Sequence, residues 1–360
     1  MKNKIISLSS ALLLAFLTLF VWFYPKSDFS ESERRVLAPL PEVSAESMFS
    51  GDFAAGFEEY ATDAFPFRDV FRAAKAYTSK YVFNLSDNNG VIIKDGHLSK
   101  LDYPLNTPML DHAAERFGFI YNAYLKNAGA NIYFSIVPDK NIFLDTLKID
   151  YGKLVSYMCE KTPYMNYIDV FPLLSLDDFY RTDSHWRQEC IGDIAEHLAS
   201  QMGADISAEY TENVLDVPFY GVYAGQSAMK TKPDTIKYLT NDILDRCTVT
   251  SFDTGKPEAA HMYNMEKANG RDPYELFLSG NNALLVVENP NAKETRELVI
   301  FRDSYTSSLA PLLVPAYSKI TLVDIRYIQS AMLGNFVNFE NADVLFLYSS
   351  SLLNSSLAMK

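Results

Sequence analysis

Residues 298–305 read LVIFRDSY, and this stretch decides the fold. Its four apolar residues, 298–301, are typical of a strand that is buried on both faces of a sheet. We expect the strand to break into a helix over 305–313, which places Ser304 at the carboxyl end of the strand. Ligands bind at that end in open α/β sheets. The stretch therefore predicts a sheet with a serine hydroxyl at its ligand-binding edge.

A second stretch, 181–186, reads RTDSHW and places a carboxylate beside an imidazole. Side chains two residues apart in an extended segment point the same way, so Asp183 can hold the His185 ring in one tautomer. With Ser304 as nucleophile, His185 as general base and Asp183 as orienting acid, the two stretches predict acyl transfer. Structural interpretations stay open at this point, because Ser304 also suits a helix N-cap and Trp186 a packing position.

The rest of the chain supplies neighbours for the first strand. Short apolar runs alternate with helical segments, notably 187–202, and this alternation predicts a three-layer α/β sandwich with a mainly parallel sheet. Residues 205–280 break the alternation, so we expect them to form an insertion that lines one wall of a substrate groove. The predicted strands are 132–137, 167–171, 298–301, 320–325 and 344–348.

The order of the motifs TDSHW and RDSY resembles the DHHW family and the alginate O-acetylation proteins. These are permuted members of the SGNH hydrolase-like superfamily, in which Asp and His precede the serine. The match extends over residues 29–349, through segments such as 63–68, DAFPFR, and 137–140, VPDK. One departure is Arg302, which replaces the family's usual glycine. The resemblance implies an SGNH hydrolase-like fold with a permuted motif order.

The resemblance also implies residues that bind substrate and stabilise the oxyanion of an acyl-transfer intermediate. Residues 280–282, Gly-Asn-Asn, are similar to the superfamily's glycine and asparagine blocks. They imply an N–H from Gly280 and a side-chain amide from Asn281 or Asn282. The backbone N–H of Ser304 is a further donor, and a plain Gly-Asn turn is an equally open interpretation. The resemblance also places Lys140, which follows a strand end, near the site; Tyr305 and Arg326 are further candidate groove residues.

The start of the chain predicts a membrane anchor. Residues 5–24 carry no charge and approach the ~20 residues that cross a bilayer as a helix. Bulky residues, WFYP at 22–25, stand where a signal peptide would be cleaved, so we expect the anchor to be retained. Two lysines precede the apolar run, which places the rest of the chain outside the cell membrane.

The domain organisation follows from these segments. We expect an anchor at 1–25, a linker at 26–48, and an SGNH hydrolase-like domain at 49–350 that carries the insertion at about 205–280. The composition, 48% apolar and 14% aromatic, is that of a globular protein, and nothing in it indicates disorder or repeats.

Charge and cysteine content restrict the possible ligands. The chain has 45 acidic against 32 basic residues, a formal net charge of −13, which argues against nucleic acid. The three cysteines leave at least one thiol free, and packing is their expected role. Neither the cysteines nor the histidines show zinc-ligand spacing, so we expect no metal and no other cofactor.

Together, these features predict a membrane-anchored, extracytoplasmic protein that O-acetylates a cell-surface or secreted polysaccharide through an acyl-enzyme on Ser304. In alginate-type systems a membrane-bound O-acyltransferase delivers the acetyl group, so the resemblance implies such a partner. Two alternatives stay open. One is a polysaccharide acetylesterase that uses the same three residues. The other is a catalytically silent envelope scaffold or glycan-binding protein, which Arg302 beside the serine keeps open.

Overall fold

The computed structural model describes residues 2–360, with side chains from residue 5 onward. The chain divides into two compact units, which we describe separately. The small unit comprises Met1–Asn89 with Ala224–Lys230, and the large unit comprises Gly90–Tyr223 with Thr231–Lys360.

The small unit is mainly helical. Its first helix contains the apolar segment Ile5–Phe23, whose 19 residues have a mean hydropathy of 2.3 and are not buried. By length and composition this helix can cross a membrane. In chain order the elements are α1 (Lys2–Phe23), β1 (Phe29–Ser30), β2 (Arg35–Val36), α2 (Ala45–Ser50), α3 (Asp52–Asp63), α4 (Arg68–Tyr81) and β3 (Asp87–Asn88).

The large unit alternates strands and helices. In chain order its elements are β4 (Val91–Lys94), β5 (His97–Lys100), α5 (Thr107–Ile120), β6 (Asn131–Val137), α6 (Tyr151–Lys161), β7 (Asn166–Tyr167), α7 (Gly192–Gln201), β8 (Thr211–Phe219), α8 (Val222–Ser227), β9 (Asp234–Thr240), β10 (Thr248–Ser251), β11 (Glu258–Ala260), α9 (Met265–Ala268), β12 (Leu284–Glu288), β13 (Glu297–Arg302), α10 (Tyr305–Leu313), β14 (Lys319–Val323), β15 (Asp343–Ser349) and α11 (Ser350–Leu353). Helix α8 begins in this unit and ends in the small one.

An eight-stranded mixed sheet organises the large unit, in the order β11-β10-β12-β14-β13-β15-β6-β7. The strands from β14 to β7 are parallel, which confirms the predicted parallel core. Antiparallel β12, β10 and β11 extend one edge. The prediction did not contain this extension, because β10 and β11 are short and lack a continuous apolar run. Both lie in the predicted insertion at 205–280.

Side chains of β13 alternate between two apolar cores, one on each face of the sheet. Leu298 and Ile300 pack in the first core with residues of α7 and α10. Val299 and Phe301 pack in the second with residues of α5 and α6. The sheet therefore lies between two helical layers, and burial on both faces explains the continuous apolar run of β13.

Two predicted elements begin or end elsewhere in the structure. The strand predicted at 167–171 is only Asn166–Tyr167, and a 3₁₀ turn at Phe171–Leu173 follows it. The helix predicted at 187–202 begins at Gly192. It starts late because Arg187 is still paired with the preceding segment, its N–H donating to Asp178 O over 2.7 Å.

The cysteines form no disulfide. Cys159, Cys190 and Cys247 are all free and half-buried. Burial raises the pKa of each thiol, to about 11 for Cys190 and Cys247. The thiols are therefore protonated at neutral pH and pack as small apolar side chains.

Candidate active site

Ser304 follows the carboxyl end of β13 and occupies the N-cap position of α10. A serine at this position often spends its hydroxyl on a capping hydrogen bond. Here the Ser304 side chain makes no such bond. Its hydroxyl is thereby left available at the edge of the sheet where ligands bind in α/β folds.

Asp183 and His185 lie at the tip of a hairpin formed by residues 179–186. The two ends of this hairpin pair as an antiparallel bridge. Tyr180 N–H donates to His185 O over 3.1 Å, and His185 N–H donates to Asp183 Oδ1 over 3.0 Å. The turn therefore fixes the backbone of both residues before their side chains interact.

The structure brings Asp183, His185 and Ser304 together in one hydrogen-bonded chain. His185 Nδ1 lies 2.5 Å from Asp183 Oδ1, and His185 Nε2 lies 2.7 Å from Ser304 Oγ. An ionised carboxylate only accepts hydrogen bonds, so Nδ1 carries the hydrogen that it donates to Asp183. Nε2 is then unprotonated and accepts the hydrogen bond of the Ser304 hydroxyl.

The charge of Asp183 is maintained by its surroundings. Burial of the side chain by itself raises the pKa of this carboxyl. The neighbouring His185 imidazole and hydrogen bonds from the N–H groups of His185 and Val222 outweigh burial, and the pKa is lowered overall. The Val222 N–H donates to Asp183 Oδ2 over 2.8 Å. Asp183 is thus ionised at neutral pH and available as an acceptor for His185.

A glycine approaches the backbone of Asp183 closely. A Cβ atom built on Gly221 would lie 2.3 Å from Asp183 Cβ, so only glycine fits there. The Gly221 N–H donates to Thr182 Oγ1 over 2.9 Å. Thr182 in turn donates from its hydroxyl and its N–H to Asp234 Oδ2, over 2.5 and 2.8 Å. Gly221 and Asp234 therefore hold the hairpin in place.

Tyr274 covers one face of the His185 ring. The two ring centroids are 4.0 Å apart and the planes are inclined by 13°. Tyr274 Oη lies 2.9 Å from Ser308 Oγ, which fixes the tyrosine on α10. Burial raises the pKa of Tyr274, so the phenol is neutral and adds no charge beside the imidazole.

Lys140 lies beneath the hairpin rather than in an open groove. Its fully buried Nζ donates to three backbone oxygens, those of Tyr180 (2.7 Å), Arg181 (3.1 Å) and Asp183 (2.7 Å). Burial lowers the pKa of Lys140 to about 8, although nearby carboxylates, including that of Asp183, raise it. Lys140 therefore positions the backbone that carries Asp183.

Tyr305 and Trp186 also have structural contacts. Tyr305 is buried, and its hydroxyl donates to Ser184 O over 2.7 Å at the tip of the hairpin. Trp186 Nε1 donates to Tyr305 O and to Ser308 Oγ, each over 3.0 Å. These bonds tie the hairpin to the first turn of α10, so Tyr305 is a supporting residue and not an exposed groove residue.

The 280–282 segment requires a correction to the predicted oxyanion donors. The Gly280 N–H already donates to Phe277 O over 3.1 Å, and the Asn282 amide donates to Leu278 O and Gly280 O. Both donors are engaged, because the turn uses them to close on itself. The Asn281 side chain is exposed and has no hydrogen-bond partner among residues 2–360.

The two arginines near the site are also engaged. Arg302 is fully buried, and its Nη1 donates to Ser307 Oγ over 2.7 Å. Its Nη2 lies 3.4 Å from Asn282 O. Arg302 thus connects β13 to α10 and the 280–282 turn, while Ser304 still reaches His185. Arg326 forms a two-point ion pair with Asp324, over 2.6 and 2.9 Å, and its guanidinium is largely buried.

Residues that support the hairpin from other parts of the chain were not predicted from the sequence. Gly221 and Tyr274 lie in the predicted insertion, where no periodicity or motif indicates a contact with His185 or Asp183. The position of residues 205–280 between the two motifs was the one sequence feature that indicated a place beside the site.

No protein-family model matches the sequence, and no curated protein matches it. Solved structures do. A DHHW family protein from Eubacterium siraeum shares 19% identity, with a TM-score of 0.57, over 76% of this chain and 97% of that one. Bacillus cereus PatB1, solved with a sulfonyl adduct, shares 18% identity, with a TM-score of 0.57, over 73% of this chain and 95% of its own.

These similarities confirm, at the level of the fold, the resemblance to the DHHW family that the motifs TDSHW and RDSY indicate. The described fold is an α/β fold with helices on both faces of a mixed sheet, preceded by an apolar helix. At identities below one fifth the similarity concerns the fold alone, and the chemistry of this chain has to be inferred from its own site.

Proposed function

We propose that Ser304 is the nucleophile of an acyl-transfer reaction, with His185 as its general base and Asp183 as the residue that orients the base. The observation that carries this proposal is the unbroken chain of hydrogen bonds from Asp183 Oδ1 to Ser304 Oγ, over 2.5 and 2.7 Å. A serine whose hydroxyl donates to an oriented imidazole is activated for attack on an ester carbonyl.

In the proposed reaction each proton transfer involves a named atom. Ser304 Oγ attacks the carbonyl carbon of an acyl donor while His185 Nε2 takes the hydroxyl proton. Asp183 stabilises the imidazolium, which then protonates the departing oxygen and leaves an acyl-serine. In the second step His185 deprotonates the hydroxyl of the acceptor, which attacks the acyl-serine and regenerates Ser304.

Two donors are available for the oxyanion of the tetrahedral intermediates. The N–H of Ser304 belongs to the proposed nucleophile itself and donates to no atom among residues 2–360. Asn281 has an exposed side-chain amide with no partner among the same residues. We assign both to the oxyanion because such donors must point at the developing charge and be free to do so.

We propose an acetyl group as the acyl unit and a cell-surface or secreted polysaccharide as the substrate. The similarity of the motifs TDSHW and RDSY to the DHHW and alginate O-acetylation proteins supports this class of substrate. Hydrolysis of the same acyl-serine by water would make the protein an acetylesterase instead. A donor ester supplied together with an oligosaccharide acceptor separates the two, because only a transferase raises acetylated oligosaccharide above the level without enzyme.

We further propose that α1 is a retained membrane anchor and that the remaining chain is extracytoplasmic, with a membrane-bound O-acyltransferase as its partner. The apolar, unburied segment Ile5–Phe23 supports the anchor. The domain bounds 49–350 and the permuted order of the motifs belong to the same proposal. The anchor is tested by fractionation, which should leave the full-length chain in the membrane; a soluble form that begins after residue 24 would contradict it.

A sulfonyl fluoride tests the nucleophile directly. Such reagents sulfonylate activated hydroxyl groups, and PatB1 of Bacillus cereus has been solved with a sulfonyl adduct. We expect the full-length protein to gain one adduct that peptide mass spectrometry places on Ser304. The Ser304→Ala variant should gain none, whereas the Ser184→Ala variant should label as the unchanged protein does, because Ser184 contributes only its backbone oxygen. Unchanged labelling of the Ser304→Ala variant would refute the serine mechanism.

A further inference from the structure

Helix α4 of the small unit buries two arginines and exposes several large apolar side chains. The side chains of Arg68 and Arg72 are only 14% exposed. Val70, Phe71 and Tyr81 on the same helix are 64%, 58% and 68% exposed. A helix on the surface of a water-soluble protein normally buries its apolar residues and exposes its charges. The exposed apolar side of α4 is therefore suited to contact something other than water.

Carboxylates pair with the two inward-facing arginines, so the burial of these charges is stabilised by the surrounding residues. Glu33 pairs with both Arg68 and Arg72, the latter over 3.0 Å. Asp63, which is buried, pairs with Arg68 over 3.3 Å and with Arg35 over 2.6 Å. This network neutralises the buried charges and fixes which side of α4 faces outward.

The outward side is a continuous apolar face. Its residues recur at intervals of three and four, the spacing that keeps side chains on one side of a helix. Every member is exposed, from 40% for Tyr77 to 68% for Tyr81 among the large side chains. We call it the α4 face, and it consists of Phe67, Val70, Phe71, Ala74, Tyr77 and Tyr81.

The α4 face is continuous with the apolar helix α1. The Phe67 ring lies 6.3 Å from the ring of Phe20, in the last turn of α1, and 5.3 Å from that of Tyr24, the residue that follows α1. Lys26, two residues beyond, lies over the rings of Trp22 and Tyr60. Aromatic rings and a lysine at the end of an apolar helix are typical of the level where a helix leaves the hydrocarbon of a bilayer.

We propose that the α4 face lies in the lipid–water interface of the membrane, so that the small unit rests on the bilayer beside its anchor. This inference depends on the proposed anchoring by α1. The partner is the lipid surface, because the rings of α1 fix Phe67 at the depth of the interface and the remaining face runs on from that residue. An amphipathic helix in this position buries its apolar side about 5–10 Å into the headgroup and acyl boundary.

Fluorescence quenching by labelled lipid tests the proposal on the full-length chain. Val70→Cys and Lys75→Cys variants are labelled with an environment-sensitive fluorophore and placed in phosphatidylcholine vesicles that carry nitroxide-labelled phosphatidylcholine. Lys75 is also exposed, but five residues along a helix turn it about 140° away from Val70. Leu13→Cys reports on α1, and the unsubstituted chain measures labelling of the three native cysteines.

We expect the nitroxide to quench the label at Val70 at least about twofold more strongly than the label at Lys75, because only the former lies within the headgroup boundary. Equal, weak quenching at both positions, with strong quenching at Leu13, would overturn the interface while leaving the anchor intact. Weak quenching at Leu13 as well would overturn the anchor itself. Labelling of Ser304 by the sulfonyl fluoride is independent of either result.

A second copy of the chain is the main rival occupant of the α4 face. In that case the label at Val70 would move to a less polar environment without being quenched by nitroxide lipid, and the protein would be dimeric by mass photometry in nanodiscs. Such a result would refute the lipid interface. In a chain that carries the fluorophore at Tyr77→Cys, the added double substitution Val70→Glu/Phe71→Glu should lower quenching by nitroxide lipid. The added control substitution Lys75→Glu should leave the quenching unchanged.

Discussion

At the scale of single residues, the proposed mechanism requires the Asp183 carboxyl to be ionised. Its carboxyl is buried, yet the neighbouring imidazole and two N–H donors lower its pKa, so it remains an anion. An anion at this position determines the tautomer of His185, which in turn determines whether Ser304 Oγ has an acceptor for its proton. In the proposed mechanism the charge of this one carboxylate therefore controls the reactivity of a serine that lies 121 positions away in the sequence.

Replacing Asp183 by asparagine should lower ester hydrolysis by about 10⁴-fold while the protein stays folded, because the amide favours the wrong tautomer of His185. Ser304→Ala and His185→Ala should each be about as damaging as the double variant, since residues that act as a unit are not additive. The measurement is turnover of a small acetyl ester, with circular dichroism to confirm folding. Wild-type turnover by a folded Ser304→Ala protein would contradict the assignment.

The stack of Tyr274 on His185 makes a different prediction. Tyr274→Phe keeps the ring and loses only the hydroxyl, so we expect most of the activity to remain. Tyr274→Leu removes the ring stacked on the imidazole. Stacked aromatic pairs contribute about 0.5–1.5 kcal/mol, so activity should fall by roughly 2- to 10-fold. The same ester assay on both variants decides the matter. If Phe and Leu behave alike, the ring does not hold the imidazole.

At the scale of elements, the 179–186 hairpin is positioned by contacts along its whole length. Lys140 holds three of its carbonyl oxygens, Tyr305 holds the oxygen of Ser184, and Gly221 packs against Asp183. Each contact comes from a different segment of the chain, so the hairpin requires the assembled large unit. Its own short turn would not keep the imidazole aligned with the serine.

Gly221→Ala should therefore impair activity strongly. The added methyl group would meet the Asp183 Cβ at 2.3 Å and push the carboxylate away from His185. We expect a loss of at least about 10-fold in turnover, because displacement of a catalytic group by about 1 Å can cost 10²-fold. Gly192→Ala, at the start of α7, is the matched control, since a Cβ there meets nothing within 4 Å. Equal activity of the two variants would show that the hairpin adjusts freely.

The sequence predicted the parts of this arrangement that depend on local pattern. The apolar run at 298–301 identified β13, and the two-residue spacing of Asp183 and His185 predicted that the carboxylate faces the imidazole; the hairpin that carries them was not predicted. The spatial partners Gly221 and Tyr274 were not predicted, because their contacts depend on how distant segments pack. The 280–282 segment was predicted by residue type, but residue type does not reveal that a turn consumes its own donors.

At the scale of the large unit, acid stability provides a measurable link to a buried imidazole. Burial of His97, followed by the charges of Lys140 and Arg181, lowers the pKa of this side chain from 6.5 to about 4. Below pH 6.5 the unfolded chain gains a proton that the folded chain takes up only near pH 4. The free energy of unfolding should therefore fall as the pH is lowered through this window.

His97→Gln should remove this component of the pH dependence. The measurement is denaturant unfolding between pH 7 and pH 4, and we expect the variant's free energy of unfolding to vary less across that window than that of the unchanged protein. His261→Gln, at an exposed position, is the control and should keep the original slope. An unchanged slope in the His97 variant would show that other groups account for the acid sensitivity.

The position of β15 in the sheet bears on the order in which the molecule is made. β15 alone joins the β6–β7 pair to β13, and it follows every other described strand in the chain. While the ribosome is still adding residues before 343, the two parts of the sheet have no common edge. Both present unpaired backbone groups, which favour aggregation. Strand β13, which precedes Ser304, thus acquires its second neighbour only after residues 343–349 have been made, and a chain interrupted before them cannot close the sheet around it.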